Sequence, residues 1–284
     1  MTNEKTCFCF LRFALFRFGG TGREKIVLGV TPFPAHEIAA VAAEVLEKQG
    51  YEVEIKEFTD FIQPNLALED GSLDANFFQH IPFLENMRSE KNLDIVALTK
   101  VHLLPIGIYS HKIKSIAEVE DRAVVAVPND PTNGFRAYKL LEREGLLKMK
   151  DGVNLTARDI LENPKNLKII ELEAPQLPRT LSDTTISVIN MNFAVDAGLD
   201  PSKDALALED KDSPYAVVLA CRGEDKDEPQ IKALAAALNS PEVKKFITES
   251  SRARACSPPS KRAGREFSRP SAAFSERGRP LFLL

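Results

Sequence analysis

The side chains able to do chemistry gather in short stretches that follow apolar runs. Thr31-Pro32-Phe33-Pro34 follows Ile26–Val30. Phe58-Thr59-Asp60-Phe61 follows Val53–Glu57, and Phe78-Gln79-His80 follows Leu73–Phe77. Pro128-Asn129-Asp130-Pro131-Thr132-Asn133-Gly134-Phe135-Arg136 follows Val124–Val127, and Asn190-Met191-Asn192-Phe193 follows Ile186–Ile189. Each residue alone has an ordinary structural role open to it. Phe61 and Phe78 suit a core, Asn190 and Asn192 suit caps or turns, and Arg136 suits a solvated helix face. What favours a ligand site is their recurrence at one end of successive elements. That chemistry is binding: a guanidinium, amides and aromatic rings.

Catalytic signatures are scarce. No Gly-x-x-x-x-Gly-Lys-Ser/Thr phosphate loop, Gly-x-Gly-x-x-Gly or His-Glu-x-x-His is present, and no Gly-x-Ser-x-Gly elbow. The histidines, His36, His80, His102 and His111, are not paired at metal-ligand spacing. Any of them could still act as a general base, so an enzyme using His80 or His102 stays open as the alternative. Cys7-Phe8-Cys9 is too tight for a zinc half-site. No metal and no cofactor is expected.

The elements that must position these residues alternate between strand and helix. Ile26–Val30 is a short apolar run that reads as a buried strand. Ala35, Ile38, Ala39, Ala42, Val45 and Leu46 follow at helical spacing, with Gly50 placed to end the helix. Val53 to Glu57, Asp94–Leu98, Val124–Val127, Leu167–Leu172, Ile186–Ile189 and Ala216–Ala220 read as further strands. Helices are expected over Gln63–Glu69, Pro82–Lys91, Thr132–Glu144 and Pro175–Leu181. Two more are expected around Ile231–Leu238 and Val243–Ile247. Alternation of this kind implies an α/β fold with mainly parallel sheet and helices on both faces. Such sheets bind ligands beyond the carboxyl ends of their strands, where the polar stretches fall.

Charge divides the 284 residues into three zones. Residues 1–25 carry five Lys/Arg and two Asp/Glu, and residues 251–284 carry eight and two. Subtracting both from the totals of 37 and 41 leaves 24 basic and 37 acidic residues, a balance of −13, in the middle. A nucleic-acid binder would cluster its basic residues on a folded face, so no nucleic-acid partner is expected. Residues 1–24 read as an atypical N-terminal extension with a degenerate or absent signal, because Arg12 and Arg17 interrupt its apolar run. No stretch approaches the ~20 apolar residues of a membrane-spanning helix. Residues 251–284, rich in Ser, Arg, Pro and Ala, read as a disordered basic tail.

Several runs then become recognisable. Phe58-Thr59-Asp60, Gln63-Pro64-Asn65, Asp74-Ala75-Asn76-Phe77-Phe78-Gln79-His80 and Val127-Pro128-Asn129-Asp130-Pro131-Thr132-Asn133 resemble the NlpA-type methionine-binding lipoprotein family. So do Glu162-Asn163-Pro164-Lys165-Asn166-Leu167, Gln176-Leu177-Pro178-Arg179 and the run from Ala205 to Tyr215. The resemblance extends from about Lys25 to Glu249. It implies a periplasmic-binding-protein type II-like fold: two α/β lobes joined by two crossover strands, with the ligand in the cleft between them. The lobes would be 25–104 plus 214–250, and 105–213, with crossovers near His102–Tyr109 and Ser213–Ala220.

The resemblance further implies the substrate-binding component of an ABC importer for methionine, L or D, or a related amino acid or dipeptide. Its partners would be an ABC permease and its ATPase subunit. Its place would be the extracytoplasmic face of the cell membrane, held by a lipid anchor, although Cys7 and Cys9 come too early for the family's lipid-modified cysteine. A free amino acid presents a carboxylate that suits the fork of Arg136, with Asn133 beside it near a helix start. Its ammonium needs acceptors such as Asn190 or Asn192. A thioether suits rings such as Phe61, Phe78, His80 and Tyr109, with His102 a further candidate. The family often carries Tyr where this chain has Phe61 and Phe193.

Overall fold

The computed structural model describes residues 24–210 and 213–256. The expectations for the N-terminal extension and for the tail beyond Cys256 lie outside the described residues. Two five-stranded sheets carry the fold. The first opens with β1 (Glu24–Val30), α1 (Glu37–Glu47), β2 (Tyr51–Glu57), α2 (Gln63–Glu69), β3 (Ala75–His80), α3 (Ile81–Lys91) and β4 (Ile95–Leu103). The chain then crosses at Leu104-Pro105 into the second sheet. There it builds β5 (Ile106–Tyr109), β6 (Val124–Pro128), α4 (Pro131–Arg143) and a small hairpin of β7 (Lys148–Met149) and β8 (Ile160–Glu162). The second sheet continues with β9 (Lys168–Leu172), β10 (Ile186–Asn190), α5 (Met191–Asp196), α6 (Pro201–Asp204) and β11 (Ala205–Leu208). The segment after Leu208 returns the chain to the first sheet as β12 (Ala216–Arg222), followed by α7 (Pro229–Leu238) and α8 (Pro241–Cys256).

Strand order is β2-β1-β3-β12-β4 in the first sheet and β11-β5-β10-β6-β9 in the second. The expectation of mainly parallel sheets needs correcting, because each sheet is half parallel. β12 pairs antiparallel with β3 and β4, and β5 pairs antiparallel with β10 and β11. The cause is topological: these are strands beside the two crossings.

Alternation along each strand splits the core into layers. Ile26, Leu28 and Val30 of β1 pack towards α1, α7 and α8, whereas Val27 faces the layer beneath α2 and α3. In the second sheet Val125 and Val127 face α4, and Ala126 faces Leu177, Leu181 and α5. Complete burial of an Ile or Leu such as Ile26 or Leu28 contributes ~1.5–3 kcal/mol. The segment expected as a helix over Pro175–Leu181 is a 3-10 helix, Ala174–Ser182. Pro178 lies inside the helix, where it has no N–H to donate and where, in α-helical geometry, its ring would clash with the Ala174 carbonyl. Helix α8 runs six residues past the expected start of the tail at 251.

Two strands are longer than the sequence suggested, and this moves candidate residues. β3 includes Phe78, Gln79 and His80, and β4 continues through His102 to Leu103. No helix among the described residues is long and apolar enough to cross a membrane.

Candidate functional site

The cleft lies between the sheets, where β3, the start of α4, the junction of β10 with α5 and both crossings meet. The cleft and its open mouth together enclose about 330 Å³ of empty space, solvent at the mouth included. Its polar wall is organised from the N-terminus of α4. Asp130 caps that helix, accepting from the Asn133 backbone N–H at 2.8 Å and from Thr132 Oγ1 at 2.9 Å. Gly134 allows the helix to start hard against β6: a Cβ there would sit 2.9 Å from the Pro128 carbonyl oxygen. This close approach sets Asn133 and Arg136 facing the cleft.

A chain of amide orientations follows. Both carboxylate oxygens of Asp130 accept from Asn133 Nδ2, at 3.1 and 2.9 Å. Asn133 Oδ1 therefore points the other way, and receives Arg136 Nη1 at 3.0 Å, Asn190 Nδ2 at 2.9 Å and His80 Nε2 at 3.3 Å. Because the Asn190 nitrogen is committed to Asn133, its Oδ1 is turned away from it. That oxygen is buried and, among the described residues, has no hydrogen-bonding partner; both amide atoms of Asn192 are in the same position. Native interiors satisfy nearly all such groups, so three unpartnered amide atoms at a cleft wall mark a place for a polar ligand.

His80 is fixed in both tautomer and charge. Its Nδ1 accepts the Phe83 backbone N–H at 3.1 Å, capping α3. The single proton of the neutral ring is then on Nε2 and donates to Asn133. Burial first, and the Arg136 charge second, push its pKa down to about 3.

Arg136 is 2% exposed and already held. Its Nε and Nη2 grip Glu209 Oε1 and Oε2 at 3.1 and 2.5 Å, and Nη2 also donates to the Leu104 carbonyl at 3.0 Å. The Tyr215 ring centre lies 4.5 Å from its central carbon. Of five guanidinium N–H groups, one on Nη1 is left for the cleft. The fork expected to embrace a ligand carboxylate is thus occupied by Glu209.

The opposite end of the cleft is aromatic. Phe61 lies 5.9 Å from Phe78, 5.8 Å from Phe83 and 4.9 Å from Phe193, centroid to centroid. The last pair spans the cleft, since Phe61 precedes α2 and Phe193 belongs to α5. Together with His80–Asn133 it closes the two halves on one another.

A family model for the NlpA lipoproteins matches residues 26–258. This chain belongs to the NlpA lipoprotein family. It is 48% identical over 223 residues to the D-methionine-binding lipoprotein MetQ of Salmonella typhi, covering 77% of this chain and 82% of that protein. It superposes with a TM-score of 0.78 on a nutrient binding protein from Burkholderia cenocepacia bound to methionine, at 46% identity, covering 81% of this chain and 98% of that one. A periplasmic substrate-binding protein of an ABC transporter from Coxiella burnetii gives 0.76 at 43% identity, with 79% and 96% covered. The fold is that of periplasmic substrate-binding proteins.

In this member of the NlpA family, the cleft wall brings together Arg136, Asn133, Asn190, Asn192, Phe61, Phe78 and His80. His102 and Tyr109 are elsewhere and need correcting as cleft candidates. His102 is buried in β4 with its ring 5.3 Å from Phe77, edge to face, and both its nitrogens lack partners among the described residues. Tyr109 is fully buried beneath Ala126 and Leu177, because alternation in β5 sends Ile108 to one face and Tyr109 to the other. The chain crosses between sheets at Leu104-Pro105, within the expected His102–Tyr109 range, with His102 before the crossing in β4 and Tyr109 after it in β5. The wall also contains Gln79, Phe83, Leu104, Tyr215 and Val217, which sequence reasoning left out of the site. Gln79 had a signal, since it sits in the same quoted run as Phe78 and His80. It is held by Asn65 and Asn76 in a buried amide network with bonds of 2.6–3.0 Å.

Proposed function

We propose that this chain is the substrate-binding component of an ABC importer and captures methionine, L or D, or a closely related amino acid or dipeptide. The observation that carries the reading is the set of unpartnered amide atoms on Asn190 and Asn192, which line the same cleft as Arg136, Phe61, Phe78 and Phe83. A zwitterion fits that arrangement. Its carboxylate goes to Arg136 Nη1 near the positive end of α4. Its ammonium donates to Asn190 Oδ1 and Asn192 Oδ1. A thioether then reaches Phe61, Phe78 and Phe83, where sulfur–ring contacts contribute ~0.3–1.5 kcal/mol each.

The lobes, 25–104 with 214–250 and 105–213, open and close about the two crossings. The closed cleft is handed to a permease driven by its ATPase, outside the cytoplasm and at the membrane surface. Relatives named as lipoproteins support that location. The general-base alternative is disfavoured by chemistry. The lone pair of His80 Nδ1 is taken by Phe83, its Nε2 carries the proton, and His102 does not face the cleft.

Calorimetry of the purified chain with L- and D-methionine, followed by mass spectrometry of the recovered ligand, tests the reading. Saturable one-to-one binding with unchanged ligand is expected. Absence of binding at millimolar ligand, or conversion of the ligand, overturns it.

A further inference from the structure

Among the residues of the cleft wall, Arg136 alone carries a formal charge at neutral pH. Its charge does not face the ligand unopposed. Glu209 holds two of its nitrogens, and Glu209 is itself fixed at both ends: its backbone N–H donates to the Ile106 carbonyl at 2.9 Å, and its Oε2 accepts from the Ile106 N–H at 3.4 Å. Swinging the carboxylate aside would break its bonds to Arg136 and to the Ile106 N–H, while the backbone bond keeps its Cα beside β5. Asp130, the other acid near Arg136, faces the Asn133 backbone, Asn133 Nδ2 and Thr132 Oγ1, and the positive end of α4 offsets it.

We propose that Glu209 sets the charge specificity of the cleft: by neutralising Arg136 it makes the site select zwitterions, which carry no net charge, over analogues bearing a net negative or net positive charge. The inference rests on the binding role proposed above. A zwitterion gains at both ends, its carboxylate at Arg136 and its ammonium at the amide oxygens and in the field of Glu209. A net anion must leave water for a site whose cation is already paired, so Coulomb attraction does not offset its desolvation. A net cation keeps the amide contacts but offers the Arg136 N–H a neutral acceptor in place of a carboxylate, so its favourable pull from Glu209 is set against an unbalanced repulsion from Arg136.

The test measures three ligands by calorimetric competition: L-methionine, N-acetyl-L-methionine (net −1) and L-methioninamide (net +1), on the wild-type chain and on Glu209→Gln. With the carboxylate gone, N-acetyl-L-methionine is expected to gain on L-methionine by about tenfold or more, and L-methioninamide to lose by a similar factor, from one charge removed at ~6–8 Å. The ratio between ligands removes the steric effect of the acetyl group, which is common to both proteins. A parallel change in all three affinities overturns the proposal, because a merely structural Glu209 would act on every ligand alike. If Glu209→Gln does not fold, Glu209→Asp carries the test: its retracted carboxylate should shift the ratios in the same direction by about threefold, and unchanged ratios overturn the proposal. Failure of the wild type to bind L-methionine is a different result, and removes the binding role itself.

Discussion

Replacing Asn192 by leucine should make the free protein more stable and the complex weaker. Asn192 is 1% exposed, and both of its amide atoms lack partners among the described residues. Leucine has nearly the same size and shape, so the substitution removes polarity without opening a cavity. A buried unsatisfied polar group costs ~1–3 kcal/mol, and relief of the lower part of that cost should raise Tm by about 2–4 °C for a chain of this size. In the complex as proposed, the same amide would accept from the ligand's ammonium. A hydrogen bond to a charged group is worth ~1.5–3 kcal/mol, so methionine affinity should fall by roughly 10–150-fold. Thermal unfolding without ligand and calorimetry with L-methionine read the two effects separately. Asn190→Leu provides the contrast, because its Nδ2 already bonds Asn133 Oδ1 at 2.9 Å; it should lose both stability and affinity. If Asn192→Leu destabilises the free protein and leaves affinity intact, the amide is structural and the reasoning fails.

Arg136→Ala should cost ~2–5 kcal/mol of methionine affinity, as removal of one partner of a buried charge pair does. It should also lower Tm, since Glu209, 15% exposed, is left without its counterion; calorimetry and thermal unfolding of the variant check both. His102→Leu should leave affinity unchanged but improve acid stability. Burial pushes the His102 pKa down to about 3, below the ~6.5 of an unfolded histidine. The unfolded chain therefore takes up the proton first, and stability is lost as pH falls from about 6.5 towards 3. At pH 5 that loss is on the order of 2 kcal/mol, so the gain of the leucine variant, read by denaturant unfolding, should be larger at pH 5 than at pH 8. An equal gain at both pH values would show that the histidine is not kept neutral by burial.

The elements legible in the sequence were those with strong local signals. Ile26–Val30 and Val124–Val127 are short apolar runs bounded by turns, and both are strands. The helix over Thr132–Glu144 begins where Asp130 and Pro131 announce it. What local pattern could not give was the exact end of a strand. Reading β3 and β4 as ending early placed His102 at a crossover, and one residue of parity decides whether a strand side chain meets the cleft or the core. Tyr109 lies in β5, a four-residue strand with too little local pattern to show its facing, and alternation turns its ring into the core.

The deeper gap concerns pairing. Arg136 and Asn133 are neighbours on one helix and can be read together, but Glu209 lies 73 residues away on the returning segment, and no local rule connects them. Its presence changes what Arg136 does. A free guanidinium would grip a carboxylate with two parallel bonds and dominate recognition; a guanidinium already held by Glu209, Leu104 and Asn133 offers one. In the proposed binding mode, recognition then shifts towards the ammonium, which would meet amide oxygens that have no partner among the described residues, and towards the rings. On the proposed binding mode Arg136 still matters, because its three anchors, on α4 and on both crossings, would tie the ligand's carboxylate to the segments about which the lobes are proposed to turn. If the proposals hold, one buried ion pair, Arg136–Glu209, would set both the charge of the cleft and the connection of its occupant to the crossings.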